Sequence, residues 1–405
     1  MTVVAIGTLG LSKKYEEVQY QFTQAETITT KFSLDALVQR ENNRGKHIDK
    51  IIVLLTKQAR TQGWDELRQT LIEHFGSTLI IDQPIEDGKN PDELRSILET
   101  ITGAVDHQDK LYIDVTTGLR HVPMLLIMAS AYLRAAKNVS VESVAYGAFE
   151  LREMQQDTAP ICQVFELLPF VELFDWAGAT TAFKRTGDVS GMAELLRNPG
   201  VAIEGESRPA IDEMIGQLDR IALSLELNRP EEAMREIGQL RATLKVSTNQ
   251  IEAFVKPFGL ITNLIDSTFQ TVELPNANIT TPEARLAAQR NLIKWYADRK
   301  HFTLAALLAR EWIVSSFMVA QNNGVQLDIH DVRQAVSNQL NGGLPGNSSL
   351  RMKKLHEVWN NHEIGRIRNI IAHATQSGSK TQIQSAEDLK KRVQDIIAAI
   401  NVLGD

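Results

Sequence analysis

The segment Arg366-Ile367-Arg368-Asn369-Ile370-Ile371-Ala372-His373-Ala374 sets arginine, an adjacent amide and histidine on one short, otherwise apolar stretch. Those side chains can cut RNA without a metal ion. An imidazole moves a proton near neutral pH. A guanidinium holds the charge that builds on a phosphate under attack. The attacking group would be the substrate's own 2′-hydroxyl, which only RNA carries. At about 100° per residue, Ile364, Ile367, Ile370, Ile371 and Ala374 form one apolar stripe. Arg366, Asn369 and His373 share the opposite side, and Arg368 lies on the flank. Such a helix packs by its isoleucines and offers its polar groups to a cleft or a partner. The plainer reading is a helix whose arginine and histidine are merely solvated. Spacing alone leaves both readings open, because the arginines and histidines of this chain give roughly half a match to Arg-x4-His by chance. A second match, Arg351-Met352-Lys353-Lys354-Leu355-His356, has a charged interior and reads as an ordinary surface helix.

The elements that would position a site divide the chain in two. Across residues 1–165 apolar runs alternate with helical patterns. Strands are expected at Val3–Gly7, Ile51–Thr56, Thr78–Asp82, Leu111–Val115 and Val139–Tyr146, and helices at Trp64–Phe75, Pro91–Ile101 and His121–Ala136. That alternation implies a mostly parallel sheet covered on both faces. Ligands of such sheets bind beyond the carboxyl ends of the strands.

Three strand ends carry suitable chemistry. The first, Gly7-Thr8-Leu9-Gly10-Leu11-Ser12-Lys13-Lys14-Tyr15, lacks the spacing of a dinucleotide fingerprint, so NAD is not expected. The second is Thr56-Lys57-Gln58. The third, Asp114-Val115-Thr116-Thr117-Gly118-Leu119-Arg120-His121, joins a strand to a helix. Gly118 allows close backbone approach, the threonines supply hydroxyls, and the helix N-terminus with Arg120 favours an anion. A capped strand-to-helix turn with a solvated arginine explains the same residues.

From Pro169 onward the pattern is helical, over Phe170–Arg185 (with Trp176), Ser207–Leu227, Pro230–Lys245, Arg285–Ala297 and Phe302–Gln321, with a break at Leu274–Pro282. The glycine-rich loop Asn341–Ser349 precedes the motif helix and could gate or contact RNA. Glu311 falls in an apolar helix, where a carboxylate needs a partner.

Composition narrows the classes further. Hydrophobic content of 43% and charged content of 23% describe a globular protein. No uninterrupted run of about 18 apolar residues exists, so no membrane span is expected. The opening Val3-Val4-Ala5-Ile6 reads as a strand and not a signal peptide. The lone Cys162, in a strand-like run, allows no internal disulfide and suits a reducing cytoplasm. No Cys/His cluster has metal spacing, so no metal and no cofactor are expected. A net charge of −7 argues against general nucleic-acid binding. Any RNA contact must be local, and Arg351, Lys353, Lys354, Arg366 and Arg368 are the basic concentration near the motif.

Arg368-Asn369-x-x-Ala372-His373, late in a helical region, resembles the active-site motif of HEPN ribonucleases. The N-terminal half resembles a CARF domain, the cyclic-oligoadenylate sensor of type III CRISPR systems. That resemblance rests on Ile6-Gly7-Thr8-Leu9-Gly10 with Tyr15, the Asp114–Arg120 turn, and Tyr146-Gly147-Ala148-Phe149-Glu150. It departs from the pattern of many relatives in having Thr117 where they carry a histidine, with a histidine at 121 instead, so ring-cleaving chemistry is not carried over. Together the halves resemble a CARF–HEPN ribonuclease: a Rossmann-like α/β CARF domain over 1–168 and an all-α HEPN domain over 169–405, with a helical insertion at about 188–280.

The resemblance implies a homodimer with two sites. A cyclic oligoadenylate, most often cyclic tetra-adenylate, would lie over Gly7, Thr8, Leu9, Gly10, Thr56, Lys57, Gln58, Thr116, Thr117, Gly118, Arg120 and His121 of both copies. Arg368 and His373, with Asn369 orienting, would meet their own copies across the two-fold axis. They would cut single-stranded RNA to 2′,3′-cyclic phosphate and 5′-hydroxyl ends. Glu311 would orient the motif residues, or would instead pair with any nearby arginine. Two rival functions keep parts of this pattern: a non-catalytic sensor, and an enzyme that only degrades the cyclic messenger.

Overall fold

The computed structural model describes the chain apart from residues 13–14, 77–79, 198–207, 255, 273–280, 322–326, 373–384 and 404–405, and describes residues 246–260 by backbone alone. Lys13, Lys14, the first residues of the Thr78 strand, most of the Leu274–Pro282 break, His373 and Ala374 therefore lie outside the described residues. The chain divides into two compact units, Met1–Asp175 and Trp176–Asp405.

The first unit holds eight strands: β1 (Val3–Thr8), β2 (Val18–Thr23), β3 (Glu26–Thr30), β4 (Lys50–Leu55), β5 (Ile80–Pro84), β6 (Lys110–Asp114), β7 (Ser140–Gly147) and β8 (Ile161–Glu166). Its helices are α1 (Ser33–Asn43), α2 (Lys57–Gln62), α3 (Trp64–Phe75), α4 (Pro91–Gly103), α5 (His121–Lys137) and α6 (Leu168–Val171). The sheet order is β3-β2-β8-β7-β6-β1-β4-β5. β7, β6, β1, β4 and β5 run parallel, and β8 turns antiparallel against β7.

The parallel strands are apolar on both faces because both faces are covered. Val4, Ile6, Ile52, Leu54, Leu111 and Ile113 point to the α4–α5 side. Ala5, Ile51, Val53, Leu55 and Tyr112 point to the α1–α3 side. α4 starts sharply because Asn90 accepts from the amides of Asp92 and Glu93 at 3.1 and 3.0 Å, while Glu93 reaches back to the Lys89 amide at 2.9 Å. α5 stops at Asn138, which takes the left-handed conformation at φ +53°. β2 and β3 escape a sequence reading because their polar, exposed positions break any apolar run.

The unit boundary falls seven residues beyond the 168/169 division expected from sequence, inside α7 (Leu173–Thr186). The physical reason is α6: Leu167, Leu168 and Val171 pack into the α4–α5 side of the sheet core.

The second unit continues with α8 (Ser190–Arg197), α9 (Arg208–Glu226), α10 (Pro230–Phe254), α11 (Lys256–Phe269), α12 (Pro282–Asp298), α13 (Phe302–Ala320), α14 (His330–Asn341), α15 (Leu350–Asn361), α16 (Ile364–Ala372) and α17 (Ala386–Leu403). α13 is its axis, packed against α12, α14, α15, α16 and α17. Its mean hydropathy of 1.4 over an 18-residue window would suit a membrane crossing, yet most of that window is buried in the protein, as in a core helix. Trp312 keeps its ring nitrogen satisfied there by donating to the Leu286 carbonyl at 2.7 Å.

Candidate functional site

In the sheet unit β1 lies between β4 and β6, with β5 beyond β4 on one side and β7 beyond β6 on the other. The crevice between the ends of β1 and β6 is the switch point at which such sheets bind ligands. Thr8 and Thr117 close it reciprocally: each hydroxyl donates to the other residue's carbonyl. Gly118 sits at φ +108°, and a Cβ there would come within 2.6 Å of the Thr8 hydroxyl. Gly10 faces the same turn, where a Cβ would meet the Gly118 amide at 3.3 Å.

Below the crevice Asp114 is fully buried. It accepts from Ser33 Oγ at 2.6 Å, from Thr116 Oγ1 at 2.6 Å and from the Thr116 amide at 3.1 Å. Burial pushes its carboxyl above the usual range, against the pull of those donors. Thr116 Oγ1 in turn accepts from the Gly147 amide at 2.8 Å, joining the ends of β6 and β7. Tyr15 donates to the Gly10 carbonyl at 2.6 Å and lies against Gly63, where a Cβ would be 2.6 Å from its ring. Burial raises the Tyr15 phenol, which suits a donor that stays neutral.

The strand-end candidates therefore separate into a floor and a rim. Gly7, Thr8, Leu9 and Thr56 are buried, and the Thr56 hydroxyl caps α2 by accepting from the Ala59 amide at 3.2 Å. Thr116, Thr117, Gly118 and Gly10 are half-buried, while Lys57, Gln58 and Arg120 are exposed. The Arg120 guanidinium makes no hydrogen bond or ion pair among the described residues, and α5 has no acidic residue in its first turn. The rim thus offers backbone amides and positive charge to an anion. His121 does not join the Thr8–Thr117 closure. Its ring packs on the loop after β5, where a Cβ on Gly88 would lie 2.3 Å from Nε2, and that nitrogen is buried without a partner.

In the helical unit α16 packs by Ile364, Ile367 and Ile370, leaving Asn369 exposed. Arg368 donates to the Asn369 side-chain oxygen at 3.1 Å. Arg366 is engaged otherwise: Glu363 pairs with it at 2.6 Å and with Arg392 of α17 at 3.0 Å. Of the two arginines, Arg368 is thus the one without a carboxylate partner among the described residues. Gly365 lets α16 sit on α15, since a Cβ there would be 3.2 Å from the Trp359 ring. Arg310 lies over the other side of that network, 6.0 Å from the Trp359 ring centroid.

Glu311 pairs with Arg310 and Arg333, and with neither Arg366 nor Arg368. Of the two roles expected for it, ion pairing is the one observed, and its reach toward α16 runs through Arg310 and Trp359. Burial raises its carboxyl, but the pull of the two arginines outweighs that and holds it below the usual range. His356 is committed to structure: its Nε2 lies 2.8 Å from the Gly342 carbonyl, and Trp359 donates to Asn341 at 2.9 Å, so α15 clasps the base of the Asn341–Ser349 loop. Arg351, Lys353 and Lys354 are exposed. Among the described residues no three His, Cys, Asp or Glu side chains form a metal-binding group.

Sequence reasoning missed Ser33, Gly63 and Glu363. Ser33 lies 81 residues from Asp114, so nothing local marks the pair. The Glu363–Arg366 spacing is legible as a helical i,i+3 pair, whereas Arg392 is 29 residues away.

The sequence model of "CRISPR system endoribonuclease Csx1, CARF domain" matches residues 4–150, which hold the whole strand-end site. Residues 4–150 form a CARF domain. A second model, "CRISPR-associated protein MJ1674, second domain", matches residues 172–274, the stretch of α7–α11. The CRISPR-associated protein MJ1674 of Methanocaldococcus jannaschii is 21% identical over 308 residues, covering 75% of this chain and 43% of that protein. The chain thus spans less than half the length of this curated relative. It is a CARF-domain protein related to Csx1 and MJ1674, with an MJ1674-type second domain after the CARF domain. The HEPN reading of the helices beyond it rests on the Arg368–His373 motif alone.

Proposed function

We propose that the protein is a cyclic-oligoadenylate-activated, metal-independent single-strand endoribonuclease of type III CRISPR defence. The sensing half is carried by the CARF domain's strand-end turn, in which Thr8, Thr117 and Gly118 lock the backbone beneath the unpaired Arg120. The cleavage half is carried by Arg368, whose guanidinium has no carboxylate partner among the described residues, on the helix Ile364–Ala372 that precedes the proposed catalytic His373 in the sequence. Arg368 would stabilise charge on the attacked phosphate, Asn369 would orient it, and His373 would move the proton of the 2′-hydroxyl.

The reading also takes the protein as a homodimer. Met124, Met128 and Tyr132 repeat every fourth residue along α5 and are 64%, 58% and 61% exposed. An apolar stripe of this kind on a helix that begins at Arg120 supports pairing of two CARF domains around one symmetric ring.

RNA cleavage assayed with and without cyclic oligoadenylates of each ring size tests the reading. Cutting is expected only with the activator, to persist in EDTA, and to leave 2′,3′-cyclic phosphate ends. Products with 3′-hydroxyl and 5′-phosphate ends would point to water attack with a metal instead. The rival of a non-catalytic sensor draws on one observation: the domain matched after the CARF domain, over residues 172–274, is MJ1674-type and not HEPN. Ligand binding without RNA cutting would establish that rival, and loss of the ring itself would establish the messenger-degrading one.

A further inference from the structure

Apart from both sites above, the helical unit holds an open cleft of about 610 Å³. Its walls are the turn from α9 into α10, one face of α12, the middle of α13 and the entry to α14. That volume lies in the range of sites for small organic ligands. The lining is charged, and most of the charge is already paired. Arg285 pairs with Glu231 and, at 3.4 Å, with Asp328. Arg333 pairs with Glu311 and donates to Ser315 Oγ and the Leu327 carbonyl at 2.9 and 2.8 Å. These contacts tie α10, α12, α13 and the entry to α14 together, so the cleft has braced walls.

Three charged groups at the cleft are left over. The side chains of Arg229, Glu232 and Arg235 are exposed and make no hydrogen bond or ion pair among the described residues. Two unpaired positive groups against one negative favour an anion. Arg229 and Arg235 stand six residues apart along the start of α10, about 9 Å of helical rise. Each guanidinium can grip a pair of phosphate oxygens in its fork. Glu232 repels any anion, but the two guanidinium groups outweigh it, and a phosphate group, with more charge than a carboxylate, gains more from that excess.

We propose that this cleft is a second ligand site, for a small phosphorylated molecule of mononucleotide size held by Arg229 and Arg235. The occupant borders Glu311, the carboxylate that also holds Arg310 over Trp359 beneath α16.

Isothermal titration with inorganic pyrophosphate tests the proposal. The full-length protein carries Arg120→Ala, so that the CARF turn contributes no anion site. Saturable binding is expected, weakened about tenfold or more by adding Arg235→Ala or Arg229→Ala and partly restored by Arg235→Lys. Both arginines are exposed and unpaired, so the melting temperature of these variants should match the parent. No saturable binding at millimolar pyrophosphate would overturn the proposal, as would binding that survives both Arg→Ala changes. Binding of a short single-stranded RNA that is lost in Arg229→Ala and Arg235→Ala, with no saturable pyrophosphate binding beside it, would assign the cleft to an RNA backbone and overturn it equally.

Discussion

Gly118 is the residue at which the CARF turn is most constrained. Its positive φ and the nearby Thr8 hydroxyl penalise any side chain in two independent ways. Gly118→Ala is therefore expected to cost about 1–3 kcal/mol in urea denaturation. Unchanged stability would show that the Thr8–Thr117 closure yields freely. At the other site Arg368→Ala and His373→Ala are each expected to reduce RNA cutting about 100- to 10,000-fold with ligand affinity intact. His356→Ala serves as the contrast. It is expected to lower stability by about 1 kcal/mol through loss of the Gly342 contact, and to spare the cleavage rate. Equal loss of cutting in His356→Ala and His373→Ala would mean that the wrong Arg-x4-His match had been chosen.

Among the elements, α13 and α16 connect electrostatics to placement. Glu311 of α13 is held below the ordinary glutamate value of 4.5, so the folded protein binds its proton less readily than the unfolded chain does. The stability it contributes is present above that ordinary value and is lost as pH falls through its lower folded value. Glu311→Gln should accordingly flatten the acid limb of the melting-temperature profile below about pH 4.5. An acid limb as steep as in the parent would place the titrating group elsewhere. α16 itself is seated by three isoleucines, and burial of each is worth about 1.5–3 kcal/mol. The Glu363 bridge to Arg392 fixes which way its polar side turns.

For the whole molecule, the proposed control is a matter of differential affinity. A ligand on the CARF domain changes chemistry on the helical unit only by binding one arrangement of the protein more tightly than another. A change from mostly off to mostly on requires roughly 5 kcal/mol of such preference. Arg120→Ala should raise the cyclic-oligoadenylate concentration needed for half-activation and leave the saturated cleavage rate unchanged. Activation at the parental concentration would remove Arg120 from the ligand site.

Much of this was legible in the residue order. Apolar runs within Val3–Thr8, Lys50–Leu55 and Lys110–Asp114, separated by helical patterns, specify buried parallel strands, because a sheet covered on both faces hides such runs. The isoleucine spacing of α16 likewise fixed its buried face, since helical period and burial are local properties. Tertiary structure alone decided which candidate groups are free to act. Thr8, Thr117, Asp114 and Glu311 are polar residues that the fold engages with partners 22 to 109 residues away. Arg120 and Arg368 look no different from Arg333 in the sequence, whose partner Glu311 lies 22 residues away. Pairing is set by what long-range packing brings within about 4 Å, and no local period records that distance.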